Sequence, residues 1–260
     1  MLNSHQKRLL TAAILIVLLL VVIWQNNFWH NLAISLISCF GLLEFYAFFW
    51  PRQNVCLKGL GLILAGLLIW LPLVGPKAFG LLGIILFWNG ALYFLLNFAQ
   101  QKPIGFADLG LMLAGILYIP FNLKLFQQLD PAEIILVLAA SFGSDTGAYY
   151  AGSLWGKRKI WPQVSPKKTW MGAFGGLLSC LIIVELWGTW QKHNLLNCLI
   201  LGIILGVAAQ LGDFFESALK RACAIKDSGS ILPGHGGILD RIDSLLLVLP
   251  VYIVVRSLII

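Results

Sequence analysis

The sequence predicts an all-α, polytopic integral membrane protein of about nine transmembrane helices, with its N-terminus on the cytoplasmic side. Three observations predict it. The 260 residues are 59% hydrophobic and only 11% charged, with a mean hydropathy of +0.87, whereas soluble domains sit near half apolar and a quarter charged. Apolar stretches of roughly bilayer-spanning length, about 20 residues, recur along the whole chain. The Lys and Arg residues between them alternate in density from one loop to the next.

Taken in order, the stretches are Leu9 to Trp24, Phe28 to Trp50, Leu57 to Val74, Ala78 to Phe98, Ile104 to Phe121, Ile134 to Trp155, Trp170 to Trp190, Leu195 to Ala218 and Ile242 to Ile260. The first follows Lys7 and Arg8 and runs into Trp24-Gln25-Asn26-Asn27 without a small-residue cleavage site, so it reads as an uncleaved helix. The fifth has the weakest signal, with Asp108 inside it and Pro120 near its end. In a nine-span arrangement, of the eighteen Lys and Arg only Lys77, Lys124, Lys192 and Arg256 fall on the side opposite the N-terminus, a division of fourteen to four. The positive-inside rule then makes the N-terminal side cytoplasmic.

A first half, residues 1–130, holds about five spans and reads as scaffold with a dimerisation role. The second, 131–260, holds about four spans and two polar cytoplasmic loops, 156–169 and 220–241, within a single membrane domain. The net charge of +7 fits topology and attraction to anionic lipids or nucleotides, not nucleic-acid binding. Five scattered cysteines without a C-x-x-C pair imply neither disulfide nor zinc.

Ionisable groups at membrane depth are costly and default to a functional reading. Asp145 lies in "SFGSDTGAYYAG", among small residues that permit close helix approach. Asp213, Glu216 and Lys220 share a helix face at the end of "QLGDFFESALKR", and Asp240 and Asp243 are i, i+3 neighbours in "LDRID". Up to five carboxylates thus converge at the cytoplasmic boundary, where only a cation would let them remain together. Oxygen donors without a His or Cys cluster suit Mg²⁺, which binds through one or two carboxylates plus substrate phosphates. Lys167, Lys168, Lys220, Arg221, Lys226 and Arg241 lie on the same face and match phosphate oxygens. Gly229, Gly234, Gly236 and Gly237 let backbone N–H groups approach an anion.

Other features have plainer readings. Lys157 to Lys159 reads as a positive-inside anchor. Glu44 and Glu185 are as readily packing or interfacial groups as functional ones, and His235 alone is more often a turn residue than a catalyst. Gly152-Ser-Leu-Trp-Gly156-Lys157 lacks the four-residue spacing and the Ser or Thr of a phosphate loop.

The stretch Ser217 to Asp243, "SALKRACAIKDSGSILPGHGGILDRID", closely resembles the signature of the CTP:phosphatidate cytidylyltransferase family, the CDP-diacylglycerol synthases. "SDTGAYYAGSLWGK" from Ser144 and "SPKKTW" from Ser165 are similar to further family segments, and "EFYAF" from Glu44 is a weaker match. Met171 stands where the family usually has Glu, and Ser153 where a basic residue is common.

The resemblance implies transfer of CMP from CTP to phosphatidate with Mg²⁺, in a bacterial-type inner (plasma) membrane, by a homodimer. It leaves room for a second cation such as K⁺. It implies catalytic roles for Asp213, Lys226, Asp227, Asp240, Arg241 and Asp243, with metal held by Asp213, Asp240 and Asp243. Substrate contacts are implied for Asp145, Ser165, Lys167, Lys168, Ser217, Lys220, Arg221, His235, Gly236 and Gly237. Two rivals stay open from the residues: a CTP-dependent lipid kinase, and an ion-coupled transporter, since intramembrane Asp and broken helices also suit ion sites.

Overall fold

The computed structural model describes residues 27–50, 53–71, 88, 106–229, 231 and 236–259. Among them regular structure is helical, apart from isolated bridge positions at Lys159, which pairs antiparallel with Thr169, and at Gly236. Among the described residues six helices are long and apolar enough to cross a membrane, and a seventh, Val55–Trp70, is shorter. The expected spans Leu9 to Trp24 and, save Trp88, Ala78 to Phe98 lie outside the described residues.

The chain divides into two units, Met1–Gln127 with Ser228–Leu239, and Gln128–Asp227 with Asp240–Ile260. In the first, α1 (Asn27–Phe49), α2 (Val55–Trp70) and α3 (Phe106–Ile116) pack around Tyr46. Its ring lies against Gly61 of α2 and Gly115 of α3, where any Cβ would collide with it, and its hydroxyl donates to the Met112 carbonyl at 2.9 Å. After α3 the chain does not stop at Pro120. Proline removes one helical N–H and crowds the carbonyl four residues back, and the backbone widens into a π-turn over Leu117–Phe121 before continuing to Gln128. This carries the span beyond the Phe121 end expected from apolarity.

Lys124, 5% exposed, follows that turn and donates to the carbonyls of Leu68 (2.7 Å), Ile69 (3.2 Å) and Leu71 (2.8 Å). It therefore satisfies the carbonyls that the end of α2 leaves without helical partners. At the other end of α2, Asp108 accepts from Trp50 Nε1 at 2.9 Å and Asn54 Nδ2 at 3.3 Å, which gives the weak point of the fifth span a local role.

The second unit contains α4 (Pro131–Trp155), α5 (Trp170–Gln191), α6 (Leu195–Ala222) and α7, which runs over Leu239–Ile259. α4 begins three residues before the apolar stretch because Asp130 and Glu133 form a reciprocal capping box with Pro131 in the first turn. α4 and α5 approach through small residues. A Cβ on Gly176 would lie 2.8 Å from the Ser144 carbonyl oxygen, and one on Gly172 2.9 Å from that of Ala148. Gly212 of α6 meets α7 likewise, with the Asp243 carbonyl oxygen 2.7 Å from where its Cβ would be. Without a hydrophobic drive between helices in lipid, such backbone approach is what van der Waals packing needs.

At the end of α7 remote from Asp240, Arg256 pairs with Glu133 at 2.6 Å, and the Tyr252 hydroxyl donates to the same carboxylate at 3.0 Å. The loop 156–169 returns on itself: Ile160 N donates to Lys168 O and Trp170 N to Arg158 O. Thr169, 3% exposed, then caps α5 by accepting from Gly172 N at 3.1 Å.

Candidate active site

Within the second unit, α4, α6, α7 and the segment before α5 bring polar side chains together. α6 supplies Asp213, Glu216 and Lys220 at the face spacing expected from sequence. Glu216 is fully buried and pairs with Lys220 one helical turn on. Lys220 also reaches Asp240 in the first turn of α7, at 2.6 Å, so one ammonium bridges two carboxylates from two helices. Asp213 pairs with Lys168 at 2.7 Å and accepts from Ser217 Oγ at 3.4 Å. The Lys168 ammonium also lies 4.0 Å over the Phe214 ring, a second attraction that fixes its position.

Asp145 on α4 accepts from Ser244 Oγ of α7, with both carboxylate oxygens at 3.2 Å. Asp243, 9% exposed, turns one oxygen onto the Ser244 backbone N–H at 2.8 Å. Asp243 lies within electrostatic range of Asp213, Glu216 and Asp145, and Arg241 within range of Asp145. Asp145, Asp213, Glu216, Asp240 and Asp243 against Lys168, Lys220 and Arg241 leave a formal surplus of two negative charges.

Arg221 serves the backbone, donating to the carbonyls of Val164 (3.4 Å) and Ile225 (3.0 Å). Ser165 donates its N–H to Trp161 O at 2.9 Å within a turn. Lys167, Lys226, Asp227 and Arg241 have exposed side chains. His235 lies outside the described residues.

Gly236 and Gly237 belong to the first unit, as does the carboxylate that organises them. Glu44, 4% exposed in α1, accepts from Ser228 Oγ (3.0 Å), Ile238 N (3.0 Å) and Leu239 N (2.8 Å). From the sequence Glu44 is as readily a packing or interfacial group as a functional one, and nothing there singles out Ser228 or Ser244. The serines lie inside and directly after the polar signature, but partners 184 and 99 residues away leave no local trace.

Hard oxygen donors and the surplus of two negative charges fit a divalent cation such as Mg²⁺. No group of three or more His, Cys, Asp or Glu among the described residues is arranged as a ready-made metal cage.

A model described as "Cytidylyltransferase family" matches residues 6–259 of the chain. The chain is 32% identical over 220 residues to the phosphatidate cytidylyltransferase of Bacillus subtilis (strain 168), a match covering 84% of this chain and 77% of that one. It is 42% identical over 156 residues to the protein of that name from Staphylococcus haemolyticus (strain JCSC1435), and 39% identical over 156 residues to that from Staphylococcus aureus (strain COL). These two matches cover 58% of this chain and 60% of each relative.

Proposed function

The chain belongs to the cytidylyltransferase family, and from that membership we infer that it is a membrane nucleotidyltransferase that transfers CMP from CTP to phosphatidate, yielding CDP-diacylglycerol and pyrophosphate. The observation that carries this reading is the bridge from Lys220 to both Glu216 and Asp240, beside the Lys168–Asp213 pair. Residues of the sequence signature meet there in an alternating pattern of charge suited to polyphosphate.

A phosphate oxygen of phosphatidate attacks the α-phosphorus of CTP. The bond from that phosphorus to the oxygen bridging toward the β-phosphate breaks, and pyrophosphate leaves with the electron pair. The lipid phosphate is largely a dianion near neutral pH, its second pKa being about 6 as in phosphoserine, so no general base is required. The protein's task is to hold anions together. Lys168 and Lys220 can exchange a carboxylate partner for phosphate oxygens, and Lys226 and Arg241 supply further exposed positive charge. Charge stabilisation of this kind is commonly the largest catalytic contribution. Asp213, Asp240 and Asp243 would hold Mg²⁺ together with the substrate phosphates, and the ion supplies neutralisation of the triphosphate and of the leaving pyrophosphate.

In this reading the chain forms nine spans with a cytoplasmic N-terminus in a bacterial inner membrane, acts as a homodimer, and works at the cytoplasmic interface. Water-borne CTP and membrane-bound phosphatidate can meet there. The test is placement of label: with phosphatidate, CTP labelled at the α-phosphate marks the lipid product and CTP labelled at the γ-phosphate does not. Label entering the lipid from the γ position alone would establish a kinase and overturn the reading.

A further inference from the structure

The glycine-rich part of the signature is organised around a residue far away in sequence. Glu44 lies toward the C-terminal end of α1, and its carboxylate takes three donors: the Ser228 hydroxyl and the consecutive backbone N–H groups of Ile238 and Leu239. Both ends of the segment Ser228–Leu239 are therefore tied to one side chain. The glycines follow from the same contact. A Cβ on Gly229 would lie 2.5 Å from Glu44 Oε1, and one on Gly237 would overlap the Ser228 hydroxyl and both Glu44 oxygens. Gly236, beside it, has φ 82°, a conformation that side-chain-bearing residues rarely adopt.

We propose that Glu44 is a positioning residue for cytidylyl transfer, holding Ser228–Gly229 and Gly236–Leu239 in place without touching substrate. This rests on the activity inferred above. A packing role alone would be met by any well-fitting side chain. Three donors converging on one nearly buried group require a carboxylate, whose two oxygens can accept them all. Gln fills the same space but turns an NH₂ toward donors. The segment it shapes ends at Leu239, and the next residue in the chain is Asp240.

The experiment uses the full chain in lipid-containing micelles and compares wild type with Glu44→Gln, Glu44→Asp and Ser228→Ala. Amide hydrogen exchange is followed at Ile238 and Leu239, and kcat and KM are measured with CTP and phosphatidate. In E44Q, exchange at the two amides accelerates about tenfold or more. Its kcat falls by about tenfold or more at nearly constant KM, the signature of lost transition-state stabilisation. E44D, which keeps the charge, recovers part of both. S228A removes one donor without baring a charge, and lowers kcat about threefold with a smaller rise in exchange. It decides the matter if E44Q fails to fold. Unchanged exchange together with unchanged kcat in whichever of these variants folds overturns the proposal, as does an E44D that behaves no better than E44Q. If wild type itself makes no CDP-diacylglycerol, the activity reading falls by that result alone. Exchange then decides the placement of Glu44: lost protection in E44Q upholds it and retained protection overturns it.

Discussion

Replacing Lys220 with Met exposes how the charge network is held. Glu216 has no solvent exposure, and Lys220 and Asp240 are each 12% exposed, so the ammonium is the counter-charge for two carboxylates sheltered from water. Removing one partner of a buried ion pair costs about 3–5 kcal/mol, because the charge left behind is uncompensated. K220M should lose stability of that order. Glu216→Gln alone should cost about 1 kcal/mol, the scale of one hydrogen bond, since Lys220 keeps Asp240. The double variant K220M/E216Q should recover about 2–3 kcal/mol relative to K220M, because Glu216, the carboxylate with no solvent exposure, is then neutral. Reversible unfolding by SDS titration in mixed micelles, followed by far-UV circular dichroism, measures all three and closes the cycle. Turnover should not recover with stability in the double variant, since the cation that would face phosphate is still missing. Single-variant effects that simply add, or a K220M protein as stable as wild type, would refute the reasoning.

Asp240→Asn should leave a folded protein, because Lys220 retains Glu216, but lower turnover by about 10²-fold or more; near-normal turnover in a purified, Mg²⁺-saturated sample would remove Asp240 from the site. Gly176→Ala places a Cβ 2.8 Å from the Ser144 carbonyl oxygen, so unfolding should show a loss of about 1–3 kcal/mol from overpacking. Lys124→Met strips the donor from three carbonyls at the end of α2. It should cost about 1–3 kcal/mol and raise amide exchange in the last turn of α2, with KM for CTP unchanged.

Helix existence was legible in the sequence because a lipid solvent requires long apolar runs, and seven of the expected spans coincide with helices among the described residues. Boundaries were less legible where polar groups belong to the helix. Asp130 and Glu133 lengthen α4 as caps, and Asp240 and Asp243 lie within the first turns of α7, though apolarity begins only after them. The i, i+3 and i, i+4 spacing placed Asp213, Glu216 and Lys220 on one face, and in the structure Glu216 pairs with Lys220 while Asp213 turns to Lys168.

By itself, the sequence determined the solvent, the run of helices and, through one dense polar signature, the family. These depend on composition and short-range order, which a linear chain displays directly. The tertiary structure decided which cation answers which carboxylate: Lys168 to Asp213, and Lys220 to Glu216 and Asp240 together. It also decided that Glu44, in an otherwise apolar helix, ties both ends of the glycine-rich segment. Such pairings depend on distances of about 3 Å between residues far apart in the chain, and helical periodicity fixes which face a residue occupies but not which distant group will meet it.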